Sequence, residues 1–242
     1  MKCLIIAAGL GSRLRPIAPS KPLVEVNGVP LLAHVMRSAR TGGATSFVVV
    51  TGYEAEGIER LLPALADELG VPVEAVRNPN WERPNGLSVL AAAERLDGRF
   101  VLLMSDHLFD PAILAGLITA HRCGSALSLA VDEDLAGPLL DLDDATKVQR
   151  APDGRILRIG KTLAHYDCID TGIFVATPAL IDAIREAVAA GGAGSLSEGV
   201  QRLADRGLAF AAPIGRRWWI DVDDEAAHRR AEASLSAIGA AA

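Results

Sequence analysis

The chain has 242 residues with 24 basic and 30 acidic side chains, a formal net charge of −6 at pH 7. This balance argues against nonspecific DNA or RNA binding, because such binding needs a broad basic surface. Half of the residues are hydrophobic, which is enough for a sizeable core. The cysteines, Cys3, Cys123 and Cys168, are widely spaced and form no CxxC pair. That pattern favours reduced thiols over disulfides or a zinc site.

Neither a membrane span nor a signal peptide is expected. No apolar run approaches the ~20 residues that cross a bilayer. The N-terminal run "CLIIAAG" is too short for a signal-peptide core with its cleavage site. We therefore expect a cytoplasmic protein, with an Ala-rich C-terminal tail that frays.

Short apolar and β-branched runs predict strands along most of the chain. Two of them, "FVVVT" and "FVLLM", are apolar on both faces, as is typical of parallel strands covered by helices. The segment "KVQRAPDGRILRIGK" predicts a hairpin with Asp153 and Gly154 at its turn. The predicted strands are Cys3–Ala7, Phe47–Thr51, Val73–Arg77, Phe100–Met104, Ala126–Val131, Cys168–Ala176 and Leu208–Ala212.

Helical periodicity lies between these strands. Apolar residues recur at three- and four-residue spacing from Ile58 to Leu69, and Gly70 follows as a C-cap. Other helix starts are indicated by Asp110-Pro111, by Thr177-Pro178, by a capping box of Ser195 with Glu198, and by Asp224 as an N-cap. Alternating strands and helices predict a layered α/β fold, and we expect a single domain over residues 1–242.

The stretch "AAGLGSRLRPIAPSKPL", residues 7–23, carries Arg13, Arg15 and Lys21 and no acid. A Gly-rich loop after a first strand exposes backbone N–H groups that bind phosphate, and the cations would add charge-assisted hydrogen bonds. The alternative is an ordinary loop with solvated basic side chains.

Two familiar phosphate loops do not fit this stretch. The dinucleotide-binding pattern requires a third glycine where the chain has Leu14. A P-loop requires Ser or Thr after its lysine, and Lys21 is followed by Pro22. An NAD-dependent oxidoreductase is accordingly disfavoured.

Three carboxylates are candidate metal ligands. Asp106 follows a buried strand, at the sheet edge where ligands of α/β proteins gather. Asp221 and Asp223 alternate along an extended segment and share one face. Mg²⁺ prefers such oxygen ligands together with substrate phosphates. Helix capping and solvated surface positions are the alternative interpretations.

A second group of acids has no base nearby in the sequence. Its spacing matches no calcium loop, so we predict a mobile, solvated surface. The group comprises Asp132, Glu133, Asp134, Asp141, Asp143 and Asp144.

Asn85 and Ser88 precede a predicted helix, so from the N-terminal end of that helix their side chains would face a nucleotide. Gly86 would let a base approach the backbone closely. A simple turn with an N-cap is the alternative for each residue.

The run "AAGLGSRLRP…SKPL" resembles the signature of the nucleotidyltransferases that activate sugar and polyol phosphates with an NTP. Ser20 stands where proline is usual. The resemblance implies a three-layer, Rossmann-like fold whose mostly parallel sheet has helices on both faces. It also implies an NTP-binding part over about residues 1–130 and an acceptor-binding part over about 131–230.

The resemblance assigns roles within the first loop and to the aspartates. Arg13 and Lys21 would hold the triphosphate as catalytic cations, with Arg15 a weaker match. Asp106, Asp221 and Asp223 would bind Mg²⁺, as in that family. The loop residues that would wrap the NTP phosphates are Ala8, Gly9, Gly11 and Ser12.

The Asn-Gly-x-Ser stretch and the pieces "KVQ…DGRILRIGK…YDCIDTGIF" are similar to the cytidylyltransferase branch, and most of all to inositol-1-phosphate cytidylyltransferases, over about residues 2–230. Lys147 and Lys161 would then reach the acceptor phosphate, although lysines beside a hairpin are also common surface charges. Asp170, Thr171 and Gly172 would contact the acceptor hydroxyls.

The implied substrates are CTP and a phosphorylated polyol or sugar, most of all inositol 1-phosphate, and the implied products are CDP-inositol and pyrophosphate. A membrane CDP-alcohol phosphotransferase is the implied functional partner. Alternatives are a phosphocholine cytidylyltransferase, a sugar-1-phosphate nucleotidyltransferase that uses another NTP, and a noncatalytic nucleotide sensor. His107, beside Asp106, would orient that carboxylate or pack on the sheet.

Overall fold

The computed structural model describes residues 1–14, 16–136 and 142–241, the last four without their side chains. Arg15 and Asp141, both singled out from the sequence, lie outside the described residues. The strands are β1 (Lys2–Ala7), β2 (Glu25–Val26), β3 (Val29–Pro30), β4 (Ser46–Thr51), β5 (Val73–Arg77), β6 (Phe100–Met104), β7 (His107–Phe109), β8 (Leu127–Asp132), β9 (Lys147–Arg150), β10 (Ile156–Gly160), β11 (Cys168–Ala176), β12 (Ala209–Pro213) and β13 (Trp219–Asp221). The helices are α1 (Leu31–Thr41), α2 (Ala55–Glu59), α3 (Leu62–Leu69), α4 (Gly86–Ala91), α5 (Pro111–Ala120), α6 (Ala179–Ala189), α7 (Leu196–Asp205) and α8 (Glu225–Ala241).

A nine-stranded mixed sheet organises the fold, in the order β10-β9-β11-β6-β1-β4-β5, with β8 beside β11 and β12 beside β8. Strands β5, β4, β1 and β6 pair in parallel, as do β8 and β12. Strand β11 is antiparallel to β6, β8 and β9, and β10 is antiparallel to β9. Only β10 and β11 therefore run against the rest of this sheet, which is the mostly parallel arrangement predicted.

Helices cover both faces of the sheet because its central strands are apolar on both faces. In β1, Cys3 and Ile5 join one hydrophobic cluster, which includes buried residues of α1, α3 and α5. Leu4 and Ile6 join a second cluster, which includes buried residues of α4, α6 and α7. Alternate side chains of a strand point to opposite faces, so β1 contributes to both cores at once.

The predicted strands match those observed to within one residue at each end. The helix expected from Ile58 to Leu69 is instead divided into α2 and α3, because Pro63 in the first turn of α3 has no N–H for a continuing helix. Gly70 ends α3 in a left-handed conformation, as predicted (φ +63°). The capping box of Ser195 and Glu198 and the N-cap at Asp224 are confirmed.

The cap predicted at Thr177 is wrong. Its hydroxyl donates to the carbonyl of Ala126 in the neighbouring strand segment (3.2 Å), and α6 starts one residue later. Among the described residues, no helix combines the length and apolar character that a bilayer crossing requires.

Candidate active site

Two cavities adjoin at the carboxyl ends of the parallel strands, where ligands of open α/β sheets gather. The loop cavity, about 300 Å³, lies against the loop after β1 and includes Gly9, Lys21 and Ser88. The hairpin cavity, about 320 Å³, lies toward the β9–β10 hairpin and includes Lys161 and Trp219. The two share Asn85, Met104, Asp106 and Asp223.

A short antiparallel ribbon brings the C-terminal acids to the end of β6. Strand β13 pairs with β7 so that Asp221 lies opposite His107. The N–H of Val222 donates to the carbonyl oxygen of Asp106 (3.1 Å). Carboxylates separated by more than a hundred residues are thereby fixed at one point of the sheet edge.

Lys21 lies at the centre of these acids. Its ammonium forms ion pairs with Asp106 and Asp223, and its Nζ is 3.6 Å from Oδ1 of Asp221. Only 8% of the residue is exposed. Burial alone would lower the pKa of Lys21, but the three carboxylates together raise it above its ordinary value. The lysine therefore stays charged inside the protein.

Gly11 has a steric reason to be glycine. Its φ of +58° is in the left-handed region, and a Cβ there would lie 2.4 Å from Cβ of Lys21. The first loop therefore closes directly onto the buried lysine.

Asp106, His107 and Asp221 form a possible divalent-metal site, with candidate ligand atoms within 4.8 Å of one another, although His107 can be a ligand only when its ring is neutral. Oδ1 of Asp221 is buried and accepts no hydrogen bond from any described residue, so it has a lone pair available to a cation. Asp223, the third predicted ligand, instead pairs with Lys21 and with Nη2 of Arg13 (2.8 Å from Oδ2).

His107 is held between this cluster and β11. Its Nδ1 lies 2.7 Å from the carbonyl oxygen of Thr171, and its Nε2 lies 3.4 Å from Oδ2 of Asp221. Burial alone would lower the pKa of His107, but Asp221 and Asp106 raise it to about 10. The charged ring thus compensates part of the negative charge of the cluster.

Asp144 bridges the first loop and the hairpin. Its Oδ2 lies 2.6 Å from Nη2 of Arg13, and its Oδ1 pairs with Lys161. Lys161 and Arg13 lower the pKa of this carboxyl below its ordinary value. The carboxylate therefore occupies the position between two cations that an anionic ligand would prefer.

The prediction of a solvated acidic surface is accordingly wrong for Asp144, and also for Asp132. Oδ2 of Asp132 accepts a hydrogen bond from Nε1 of Trp219 (2.8 Å). Glu133 is exposed, and it pairs with Arg150 at the surface. The partners of these acids, namely Arg13 and Lys161 for Asp144, Arg150 for Glu133 and Trp219 for Asp132, lie 17 or more positions away in the chain, so the local sequence pattern did not reveal them.

The predicted phosphate loop is partly assembled around the loop cavity. Ala8, Gly9 and Gly11 line it together with Lys21. Ser12 does not line it, but is exposed at the start of a 3-10 turn, Ser12–Leu14. Arg13 extends from that turn to the hairpin cavity.

The Asn85–Ser88 stretch differs from its predicted arrangement. Ser88 lies inside α4 rather than before it, and is almost fully buried. Oδ1 of Asn85 accepts a hydrogen bond from the N–H of Leu196 (3.0 Å) while the residue lines both cavities. A Cβ on Gly86 would lie 2.4 Å from the carbonyl oxygen of Gly194, so close packing against the start of α7 explains this glycine.

Three of the five predicted acceptor residues line the hairpin cavity, namely Lys161, Asp170 and Gly172. Burial raises the pKa of Asp170 to about 6, although the N–H of Gly172 donates to its Oδ1 (2.7 Å). Thr171 is fully buried, and its hydroxyl donates to the carbonyl of Ala130 (2.8 Å). Lys147 lies outside the cavity lining and donates to the carbonyl oxygen of Lys161 (2.8 Å).

The sequence interpretation missed three residues here. Arg230 of α8 lines the hairpin cavity, and its buried Nε has no acceptor among the described residues. Trp81 lines the loop cavity and packs on Tyr53 with ring centroids 5.2 Å apart. Asn78, directly after β5, is buried and contacts Ser88. Its position after a strand at the ligand-binding edge was the available signal.

Comparisons with known proteins agree with this architecture. The chain is 37% identical over 223 residues to the "Bifunctional IPC transferase and DIPP synthase" of Rubrobacter xylanophilus, a match that covers 90% of this chain and 48% of the relative. The protein of the same name from Archaeoglobus fulgidus is 31% identical over 240 residues, with coverages of 97% and 44%. The chain thus spans about half the length of the curated relatives it matches.

Among solved structures, the inositol-1-phosphate CTP transferase from T. maritima superposes with a TM-score of 0.82 at 27% identity, covering 93% of this chain and 90% of that one. Residues 3–206 match the family described as "MobA-like NTP transferase domain". With the Gly-rich loop, the buried lysine and the acidic cluster assembled at one sheet edge, the chain belongs to the MobA-like NTP transferase domain family.

Proposed function

We propose that the protein transfers the cytidylyl group of CTP to inositol 1-phosphate, giving CDP-inositol and pyrophosphate. The observation that carries the proposal is the buried Lys21 among Asp106, Asp221 and Asp223, at the junction of two cavities. One cavity suits a nucleotide and the other a phosphorylated polyol. The likeness to the T. maritima enzyme over nearly the full length of both chains supports this choice of substrates.

The nucleotide would occupy the loop cavity. Ala8, Gly9 and Gly11 line it, and backbone amides of such a loop would bind phosphate oxygens. Ser12, at the start of the 3-10 turn, would contact the triphosphate from the rim. Lys21 and Arg13 would neutralise the triphosphate, with Asn85, Gly86 and Ser88 on the side of the base.

The acceptor would occupy the hairpin cavity. Lys161 and Arg230 line it and would bind the acceptor phosphate. Lys147 would act through the backbone of Lys161, to which it donates. Asp170, Thr171 and Gly172, at the bend of β11, would set the surface that receives the polyol hydroxyls.

Asp106 and Asp221 would hold Mg²⁺, with Asp223 beside them. Oxygen donors suit this ion, and Oδ1 of Asp221, which accepts no hydrogen bond from a described residue, fits it. When bound, the ion would supply positive charge to the phosphates at the reacting centre.

The residues of the chain would position the two substrates and supply positive charge to the leaving group. An acceptor phosphate monoester has a second pKa of about 6, so it is mostly a dianion near neutral pH and needs no general base. One of its oxygens attacks the α-phosphorus of CTP, a new P–O bond forms, and the bond to the bridging oxygen of pyrophosphate breaks. Lys21 and Arg13 would stabilise the charge that develops on the leaving group.

A pyrophosphate-release assay tests the proposal. CTP with Mg²⁺ is combined with inositol 1-phosphate, phosphocholine and a sugar 1-phosphate in separate reactions, and GTP, UTP and dTTP replace CTP in parallel. We expect the highest kcat/KM for CTP with inositol 1-phosphate. Preference for another acceptor or nucleotide would reassign the substrate, and no release with any pair would refute a catalytic role.

We further propose that a membrane CDP-alcohol phosphotransferase consumes the product. The names of the longer relatives combine two activities, and this chain corresponds to about half of each. Mixing the purified chain with such a phosphotransferase in vesicles should couple CTP consumption to formation of the phosphodiester product.

A further inference from the structure

A pair of buried polar residues borders the loop cavity. Nδ2 of Asn78 donates to Oγ of Ser88 over 3.1 Å. The exposed fractions are 3% for Asn78 and 2% for Ser88. Asn78 follows β5 and donates its own N–H to the carbonyl oxygen of Thr51 (2.7 Å), which fixes it at the carboxyl edge of the sheet.

The orientation of the Asn78 amide is determined by a second hydrogen bond. The N–H of Asn80 donates to Oδ1 of Asn78 over 2.9 Å. The oxygen of the amide therefore faces Asn80, and the NH₂ group faces Ser88. Reversal of the amide would place an N–H against a backbone N–H and an oxygen against the hydroxyl.

This arrangement determines what the Ser88 hydroxyl can do. A hydroxyl has one proton and two lone pairs, and Asn78 occupies one lone pair. No described residue accepts the Ser88 proton. Because Ser88 lines the loop cavity, its proton is available to a ligand there. A buried donor without an acceptor is costly, whereas an unused lone pair costs less.

We propose that Asn78 is a positioning residue that keeps the Ser88 hydroxyl as a donor to N3 of cytosine, and thereby selects CTP over UTP. The proposal rests on the function proposed above. N3 of cytosine is an acceptor, whereas N3 of uracil carries a proton. N3 of cytosine would accept a hydrogen bond from the Ser88 hydroxyl. N3–H of uracil is itself a donor, so it would face the hydroxyl proton and leave that proton without an acceptor.

The decisive variant is Asn78→Asp. An aspartate can still accept from the N–H of Asn80, but it would also accept the Ser88 proton. Ser88 would then present only lone pairs to the cavity, which suit N3–H of uracil. We expect the ratio of kcat/KM for CTP to that for UTP, measured by pyrophosphate release, to fall by about tenfold or more. An unchanged or increased ratio would overturn the proposal.

Two further variants isolate the cause. Asn80→Asp introduces the same charge two residues away on an exposed side chain and retains the backbone donor. We expect its ratio of kcat/KM for CTP to that for UTP to match the wild-type ratio. A fall as large as that of Asn78→Asp would show that the added negative charge alone changes the preference, and would overturn the proposal. Ser88→Ala removes the donor and should bring the ratio toward one, with the fold checked by circular dichroism. If Asn78→Asp does not fold, a wild-type ratio in Ser88→Ala overturns the proposal.

The outcomes separate this inference from the proposed function. If the wild-type protein uses no nucleotide, the proposed function fails. If it prefers CTP and both Asn78→Asp and Ser88→Ala keep that preference, the function stands and the role of Asn78 is refuted.

Discussion

The ammonium group of Lys21 forms an ion pair with the carboxylate of Asp223, although 202 residues separate them in the chain. The pair lies where the loop and hairpin cavities meet. It joins the predicted phosphate loop to the predicted metal acids in one cluster, so a change at either end should affect both.

Lys21→Ala should lower kcat by about a hundredfold or more, because one preorganised donor at a developing charge typically contributes that much. Pyrophosphate release gives the rate. Loss of a buried cation among three acids also destabilises the fold, so thermal unfolding is measured on the same sample. Lys2→Ala, at the opposite end of β1, is the control and should retain the wild-type rate. A folded Lys21→Ala protein with unaltered turnover contradicts the assignment.

Mg²⁺ should raise the Tm of the wild-type protein, because a ligand that binds only the native state stabilises it. Asp106→Asn and Asp221→Asn should lose most of this increase, since they remove oxygens of the candidate metal site. Differential scanning fluorimetry with and without the ion measures the effect. Asp97→Asn, at an exposed ion pair with Lys2, serves as the control. An equal increase in all four proteins would place the ion elsewhere.

Asp144→Asn should bind inorganic pyrophosphate about two- to fivefold more tightly than the wild type. The Asp144 carboxylate lies between Arg13 and Lys161, so an incoming anion must displace it. The expected gain in affinity is modest because Asp144, Arg13 and Lys161 are partly exposed to solvent. Isothermal titration calorimetry measures the affinity, and Asp67→Asn makes the same charge change on a distant surface of α3. Weaker binding by Asp144→Asn would show that the carboxylate assists the ligand instead.

Glu198→Gln should destabilise the protein by about 1 kcal/mol at neutral pH, because three backbone N–H groups donate to the two oxygens of the Glu198 carboxylate and glutamine offers only one uncharged oxygen. Burial alone would raise the pKa of Glu198, but the backbone N–H groups of Ser195, Ala193 and Gly194 lower it below 4.5. A lowered folded-state pKa stabilises the protein above pH 4.5, and this contribution is lost as the pH falls through the folded-state value. Urea unfolding across this range should therefore show the wild type and variant converging in acid. A constant difference would argue against the ionised cap.

Ser20→Ala should be neutral or stabilising by about 1 kcal/mol, because the buried Ser20 hydroxyl has no hydrogen-bond partner among the described residues. Ser20→Pro should destabilise the protein, since φ of Ser20 is −142° and proline requires about −65°. Chemical unfolding of both variants tests the pair. Equal stability of Ser20→Pro and the wild type would contradict the extended backbone at this position.

The sequence by itself determined the strands of the main sheet and located the Gly-rich loop with its cations, because these depend on local patterns. A strand that is apolar on both faces, such as Phe100–Met104, can be buried only between two helical layers. A strand followed by glycines and cations, as at Gly9 to Lys21, is recognisable without knowledge of its surroundings.

Only the tertiary structure decided which distant side chains meet. The β7–β13 ribbon places Asp221 beside His107, and Asp144, predicted to be solvated, is paired with Arg13 and Lys161. The same holds for Asn78, whose amide is oriented by Asn80 and faces Ser88. Charge pairing and hydrogen-bond direction act over a few ångströms in space, so they depend on how the strands and loops pack and not on the spacing of residues along the chain.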